Sequence, residues 1–161
     1  MFQLHALPAE PFRHLFDLSD AELERAGAQR ALVDAKPGYP CRISLADAEV
    51  GETVILVNHV HQPAETPFHS SHAIFVREGV EQARPEVGEI PEFLRSRLLS
   101  VRAFSDADQM VDGVVVEGTE IDAAIERLFD DPDVGYLHLH NAQLGCYAAR
   151  ATRAPEAVSR S

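Results

Sequence analysis

The sequence predicts an α+β single domain, with a largely antiparallel sheet and a few helices packed on it. Its 161 residues suit a single domain with an adequate core and leave little room for a second domain. Hydrophobic residues make up 45% and charged residues 25%, the proportions of an ordinary globular protein. Strand-like and helix-like stretches are mixed along the chain rather than strictly alternating, which argues against a parallel sheet built from βαβ units.

The opening "FQLHAL" reads as a short strand. In "DLSDAELERAG", Ser19 is placed to cap a helix, Glu22 completes a capping box, and Leu18 with Leu23 forms a hydrophobic staple. Gly27 ends that helix. "AQRALVD" is the next strand. The following "AKPGYPCRISLADAEVGE" is turn-rich, with Pro37, Gly38 and Pro40 at its start, and is expected to run over the surface. "TVILVNHVH" is apolar without alternation up to Asn58, as in a strand covered on both faces.

"QPAETPFHSS" is a loop and "HAIFVRE" a further strand. "RPEVGEIPEFLRSR" turns into a short helix with Pro91 tolerated in its first turn. "LLSVRAFS" and "MVDGVVVEG" add two strands. From Thr119, the residues Ile121, Ala124, Ile125, Leu128 and Phe129 recur at helical spacing, so one face of that helix is buried. A hairpin of Tyr136–His140 and Cys146–Thr152 closes the domain, taken as 1–153. Residues 154–161 are expected to be a flexible tail.

The formal net charge is −12, which opposes phosphate contacts. Nucleic acid and anionic membrane surfaces are therefore not expected partners. No segment approaches the roughly 20 apolar residues that span a bilayer. The N-terminal stretch lacks the basic and apolar regions of a secretory signal. With only Cys41 and Cys146, no disulfide scaffold is available, so a cytoplasmic location with free thiols is expected, a single Cys41–Cys146 disulfide being the alternative. Lys36 is the single lysine among fourteen basic residues, and arginine suits bidentate binding of carboxylate or phosphate.

The chemistry concentrates in "GYLHLHNAQLGCYAAR", residues 135–150. Residues two apart in a strand share a face, so Tyr136, His138 and His140 lie together, opposite Leu137 and Leu139. A reversal symmetric about Gln143 sets Asn141 against Gly145, His140 against Cys146, His138 against Ala148 and Tyr136 against Arg150. An imidazole beside a thiol activates it, which makes His140 a candidate general base and Cys146 a candidate nucleophile. A register slip of one residue would undo the pair.

"NHVHQPAE" repeats the spacing, with His59 and His61 on one strand face. Two His-x-His pairs on neighbouring strands would set His59, His61, His138 and His140 around a single divalent metal. Phosphate-loop, dinucleotide-binding, nucleophile-elbow, HExxH and CxxC patterns do not occur in the sequence.

Taken together, "AKPGYPCRISLADAEVGE", "HQPAETPF…HAIFVREG", "HNAQLGCYAAR" and the opening "LPAEPFRHLFDLSDAEL" resemble the bacterial family catalogued as domain of unknown function number 1203. The likeness runs over nearly the whole chain. It implies a bacterial stand-alone domain and no particular activity. It draws attention to Cys41, Arg42, His61, His140, Asn141 and Cys146 as members of the motif stretches.

Three functional readings follow. The first is a small enzyme for a small polar molecule, with a His140–Cys146 pair and with Cys41, Arg42, His61, Asn141 and Arg150 as substrate contacts. The second is a non-catalytic module for a small anion or a protein partner. The third is a metal-dependent enzyme using the four histidines. Oligomeric state is left open.

Overall fold

A computed structural model describes residues 1–155, so most of the expected tail at 154–161 lies outside the described residues. In chain order the elements are β1 (Phe2–His5), a 3-10 helix (Glu10–Asp17), α1 (Asp20–Arg25), β2 (Ala28–Leu32), β3 (Pro40–Cys41), β4 (Ala46–Asp47) and β5 (Thr53–Gln62). They continue with β6 (Ser70–Arg77), α2 (Glu92–Arg95), β7 (Leu98–Phe104) and β8 (Met110–Glu117). A 3-10 turn (Gly118–Glu120) leads into α3 (Ile121–Phe129), and β9 (Tyr136–Asn141) and β10 (Tyr147–Arg153) finish the fold. The α+β class is as the sequence predicts.

The strands form two five-stranded sheets. The first runs β1-β10-β9-β7-β8 and is antiparallel throughout. The second runs β2-β5-β6-β3-β4, with one parallel pair between β3 and β6. No helix among the described residues is long and apolar enough to cross a membrane.

Local chemistry accounts for the helices. The Ser19 hydroxyl accepts from the Glu22 backbone N–H at 3.2 Å, and the Glu22 carboxylate accepts from the Ser19 N–H at 2.7 Å, so both halves of the capping box are made. Gly27 leaves α1 with φ +73°, a left-handed conformation that only glycine adopts without strain. Along α3, Ile121, Ala124, Ile125, Leu128 and Phe129 are all buried. Each full burial of such an apolar side chain is worth about 1.5–3 kcal/mol.

The first sheet has two unlike faces, and the period of two in its strands divides them. Leu137 and Leu139 of β9, Val101 and Ala103 of β7 and Ala149 and Ala151 of β10 join Ile121, Ile125 and Leu128 of α3 in the larger core. The other face is polar: Ser100 stands opposite His140 and Arg102 opposite His138. That polar face meets the second sheet. The Gln62 amide donates to the Tyr136 hydroxyl at 2.9 Å, and Arg42 Nε donates to the Tyr147 carbonyl at 2.7 Å.

The segment from Ala35 to Glu52 departs from the surface course expected of it. Pro40 and Cys41 pair with Asp47 and Ala46, and Cys41 also pairs with Phe75 of β6. Cys41, Arg42, Ile43 and Leu45 are buried as a result. The turn residues at its start shape a short edge of sheet, and the apolar residues that follow are drawn inside by the strands beside them.

Candidate functional site

The hairpin register differs from the symmetric reversal. Gly145 takes φ +83°, and its N–H donates to the Asn141 carbonyl at 2.9 Å while the Asn141 N–H donates to the Cys146 carbonyl at 2.8 Å. Gly145 and Cys146 thus oppose Asn141 together, a bulge with glycine in the left-handed position. The extra residue moves the pairing by one. His140 faces Tyr147, not Cys146, and a second irregularity between Tyr147 and Ala149 sets His138 opposite Arg150 rather than Ala148. Tyr136 consequently does not face Arg150 across the ladder.

Three of the four expected histidines converge. His138 and His140 come from β9, and His61 arrives from the far end of β5, where the ladder is irregular between His59 and Gln62. One ring nitrogen from each of His61, His138 and His140 lies within 4.8 Å of the others. The His61 ring centroid is 4.8 Å from that of His140 and 5.9 Å from that of His138. His59 stands apart, edge-on to Phe12 at 5.9 Å.

Each of the three imidazoles has a buried ring nitrogen without a hydrogen-bond partner among the described residues: His61 Nδ1, His138 Nδ1 and His140 Nε2. An unpaired buried polar atom costs about 1–3 kcal/mol, so three in one place demand a reason. For His140 the tautomer follows from its partner. Nδ1 is 2.9 Å from the Gly145 carbonyl, which only accepts, so Nδ1 carries the proton and Nε2 presents a lone pair. This is the arrangement in which a backbone carbonyl orients a metal-ligating histidine.

Electrostatics keep the trio neutral. Burial, reinforced by His61, Arg150 and Arg102, lowers His138 to about 3. Burial lowers His140 to about 3 against the opposing bond to Gly145, and lowers His61 to about 4 with help from His59. Neutral imidazole is the form that binds a metal. Around a zinc ion at about 2.1 Å, tetrahedral nitrogens stand roughly 3.4 Å apart, so the widest pair would close by about 1.4 Å on ligation.

Tyr147 organises the cluster. Its ring lies parallel to His61 with centroids 5.3 Å apart, and its edges meet His138 at 5.4 Å and His140 at 5.7 Å. Burial raises its pKa, so it stays a neutral phenol. A cavity of about 450 Å³ opens beside two of the three histidines, lined among others by His59, His61, His138, Asp108, Tyr136 and Arg150, whereas His140 does not line it.

The remaining candidates fall elsewhere. Arg42 is 2% exposed, bonded to the carbonyls of Pro40 and Tyr147, and does not line this cavity. Burial lowers its pKa to about 10, so it remains a cation that clamps β3 to β10. Cys41 is wholly buried among Ile43, Ile55 and Ile74. Cys146 is a free, partly exposed thiol in the turn, and Asn141 lines a different hollow beside Arg97. Arg150 does open onto the cavity, its guanidinium 4.7 Å above the Tyr136 ring.

Sequence reasoning missed Asp108, Gln62 and the organising role of Tyr147. Asp108 lies in the β7–β8 turn, and no local pattern carries it to β9. Tyr136 was legible on the His138 face, although its bond to Asp108 was not. No curated protein and no solved structure matches the chain. A family model matches residues 38–153, and the protein belongs to the family described as Protein of unknown function (DUF1203).

Proposed function

We propose that this protein is a metal-dependent enzyme that holds one divalent ion on His61, His138 and His140 and acts on a small molecule that carries an anionic group. The observation that carries the reading is the convergence of three neutral imidazoles, each with a buried nitrogen lacking a partner among the described residues. Three histidines leave a fourth position for water or a substrate oxygen, as in catalytic rather than structural zinc sites. A zinc ion there would supply Lewis acidity and would lower the pKa of its bound water to about 7.

The ligand set contains no carboxylate, so the three ligands themselves leave the ion's charge unneutralised. Arg150 opens onto the same cavity, and Arg102 depresses all three histidine pKa values. An anionic group of the substrate meets the Arg150 guanidinium here despite the negative charge of the whole chain.

Calorimetric titration of chelator-treated protein with Zn²⁺ and Co²⁺ tests the reading. One ion per chain is expected, with intense visible absorption for tetrahedral cobalt, and His140→Ala should weaken binding at least about 100-fold. Binding that is absent, or unchanged in that variant, overturns it.

A thiol reading has one observation in its favour: Cys146 is a free, partly exposed thiol in the hairpin turn.

A further inference from the structure

Two side chains of opposite charge open onto the cavity beside His61 and His138, Arg150 and Asp108. Neither takes part in an ion pair among the described residues. The Tyr136 ring lies between them. The Arg150 guanidinium sits over its face at 4.7 Å, and the Tyr136 hydroxyl donates to Asp108 Oδ1 at 2.6 Å. Gln62 donates to the same hydroxyl at 2.9 Å, so the phenol accepts from Gln62 and donates its one hydrogen to Asp108. A carboxylate offers about four lone-pair sites, and one phenol uses one of them.

The backbone at Asp108 adds an independent sign. It is one of two non-glycine residues with positive φ, at +60°. Its N–H donates to the Ser105 carbonyl at 2.9 Å, and its own carbonyl accepts from the Thr66 hydroxyl at 3.2 Å. Glycine fits a left-handed turn with less strain, whereas aspartate is tolerated there. The chain therefore holds an acid at the cavity wall, in a left-handed turn that aspartate tolerates.

We propose that the substrate of this site is a small zwitterion, its carboxylate directed to Arg150 and its ammonium group to Asp108 across the Tyr136 ring. The inference names the substrate class of the metal site proposed above and rests on that reading for the site's chemistry. Size agrees, since a cavity of about 450 Å³ admits a molecule of amino-acid dimensions. A cation beside Asp108 replaces solvent at the carboxylate oxygens left free by Tyr136. An anion at Arg150 makes a charge-assisted, bidentate contact.

Matched ligand pairs test this directly: glycine against acetate, 3-aminopropanoate against propanoate, and 4-aminobutanoate against butanoate. Zinc stoichiometry is measured first, and each pair is then titrated into the metal-free and the zinc-loaded chain. At least one amino acid should bind about fivefold or more tightly than its matched carboxylate. Asp108→Asn, which keeps a residue tolerated at positive φ, should erase that gain and leave the carboxylate affinity intact. Arg150→Gln should weaken both members of the pair. If no pair shows a gain, or if the gain survives Asp108→Asn, the inference is overturned. Zinc binding without a gain overturns the zwitterion alone. A gain without zinc binding overturns the metal reading and leaves the zwitterion standing.

Discussion

His61 and Tyr147 lie face to face, their rings 5.3 Å apart and within 3° of parallel. One belongs to β5 of the second sheet and the other to β10 of the first. This contact sets the third histidine against the two of β9, because the same tyrosine also touches His138 and His140. Tyr147→Ala should therefore destabilise the fold by about 3–5 kcal/mol, as loss of a buried aromatic does. It should also lower metal affinity about 10–100-fold, as loss of an orienting neighbour does. Tyr147→Phe keeps the ring and should keep both properties. Denaturation curves and metal titration on the two variants check this, and equal metal affinity in all three proteins would deny the tyrosine its role.

Acid should weaken the metal-free protein in a definite window. Burial holds His138 and His140 at about 3 and His61 at about 4, against about 6.5 in an unfolded chain. Between those values the unfolded chain binds more protons, so stability falls as pH falls. Above about pH 6.5 the imidazoles are neutral in both states and add no dependence. Each of the two buried β9 histidines removes at most about 1.4 kcal/mol per pH unit in the window. Chemical denaturation from neutral pH down to about pH 4 should show a shallower slope for His140→Phe than for the parent. Equal slopes would mean that His140 is not held neutral by burial.

Ile125 is fully buried at the centre of α3, against the apolar face of the first sheet. Ile125→Ala should cost about 2–5 kcal/mol, the sum of lost transfer energy and a cavity in a close-packed core. Thermal unfolding reads it. A melting temperature near that of the parent would contradict the packing of α3 against β7 and β8.

The two thiols should differ sharply. Cys41 is wholly buried and should react with a thiol probe only after denaturation, whereas Cys146 should react in the native protein. His140→Ala should leave the Cys146 rate unchanged, because His140 faces Tyr147 and commits Nδ1 to the Gly145 carbonyl. A large fall in rate in that variant would restore a working His140–Cys146 pair.

What the sequence by itself determined is the local and the periodic. Ser19 and Glu22 announce α1 because a capping box is made by residues three apart. The apolar spacing from Ile121 to Phe129 announces α3 because one turn brings those side chains to one face. Alternation in "YLHLH" sets His138 and His140 on one side of β9 and Leu137 and Leu139 on the other, whatever the strand pairs with. Tertiary structure decided the rest. Whether Gly145 adds a residue to the turn depends on its left-handed backbone, and that single residue replaced Cys146 by Tyr147 opposite His140. The meeting of His61 with two histidines far along the chain depends on the irregular end of β5 crossing the polar face of the other sheet, and only packing between the sheets creates that contact. Asp108 reaches Tyr136 for the same reason: its place is set by where the β7–β8 turn comes to rest, and no spacing along the chain encodes that distance.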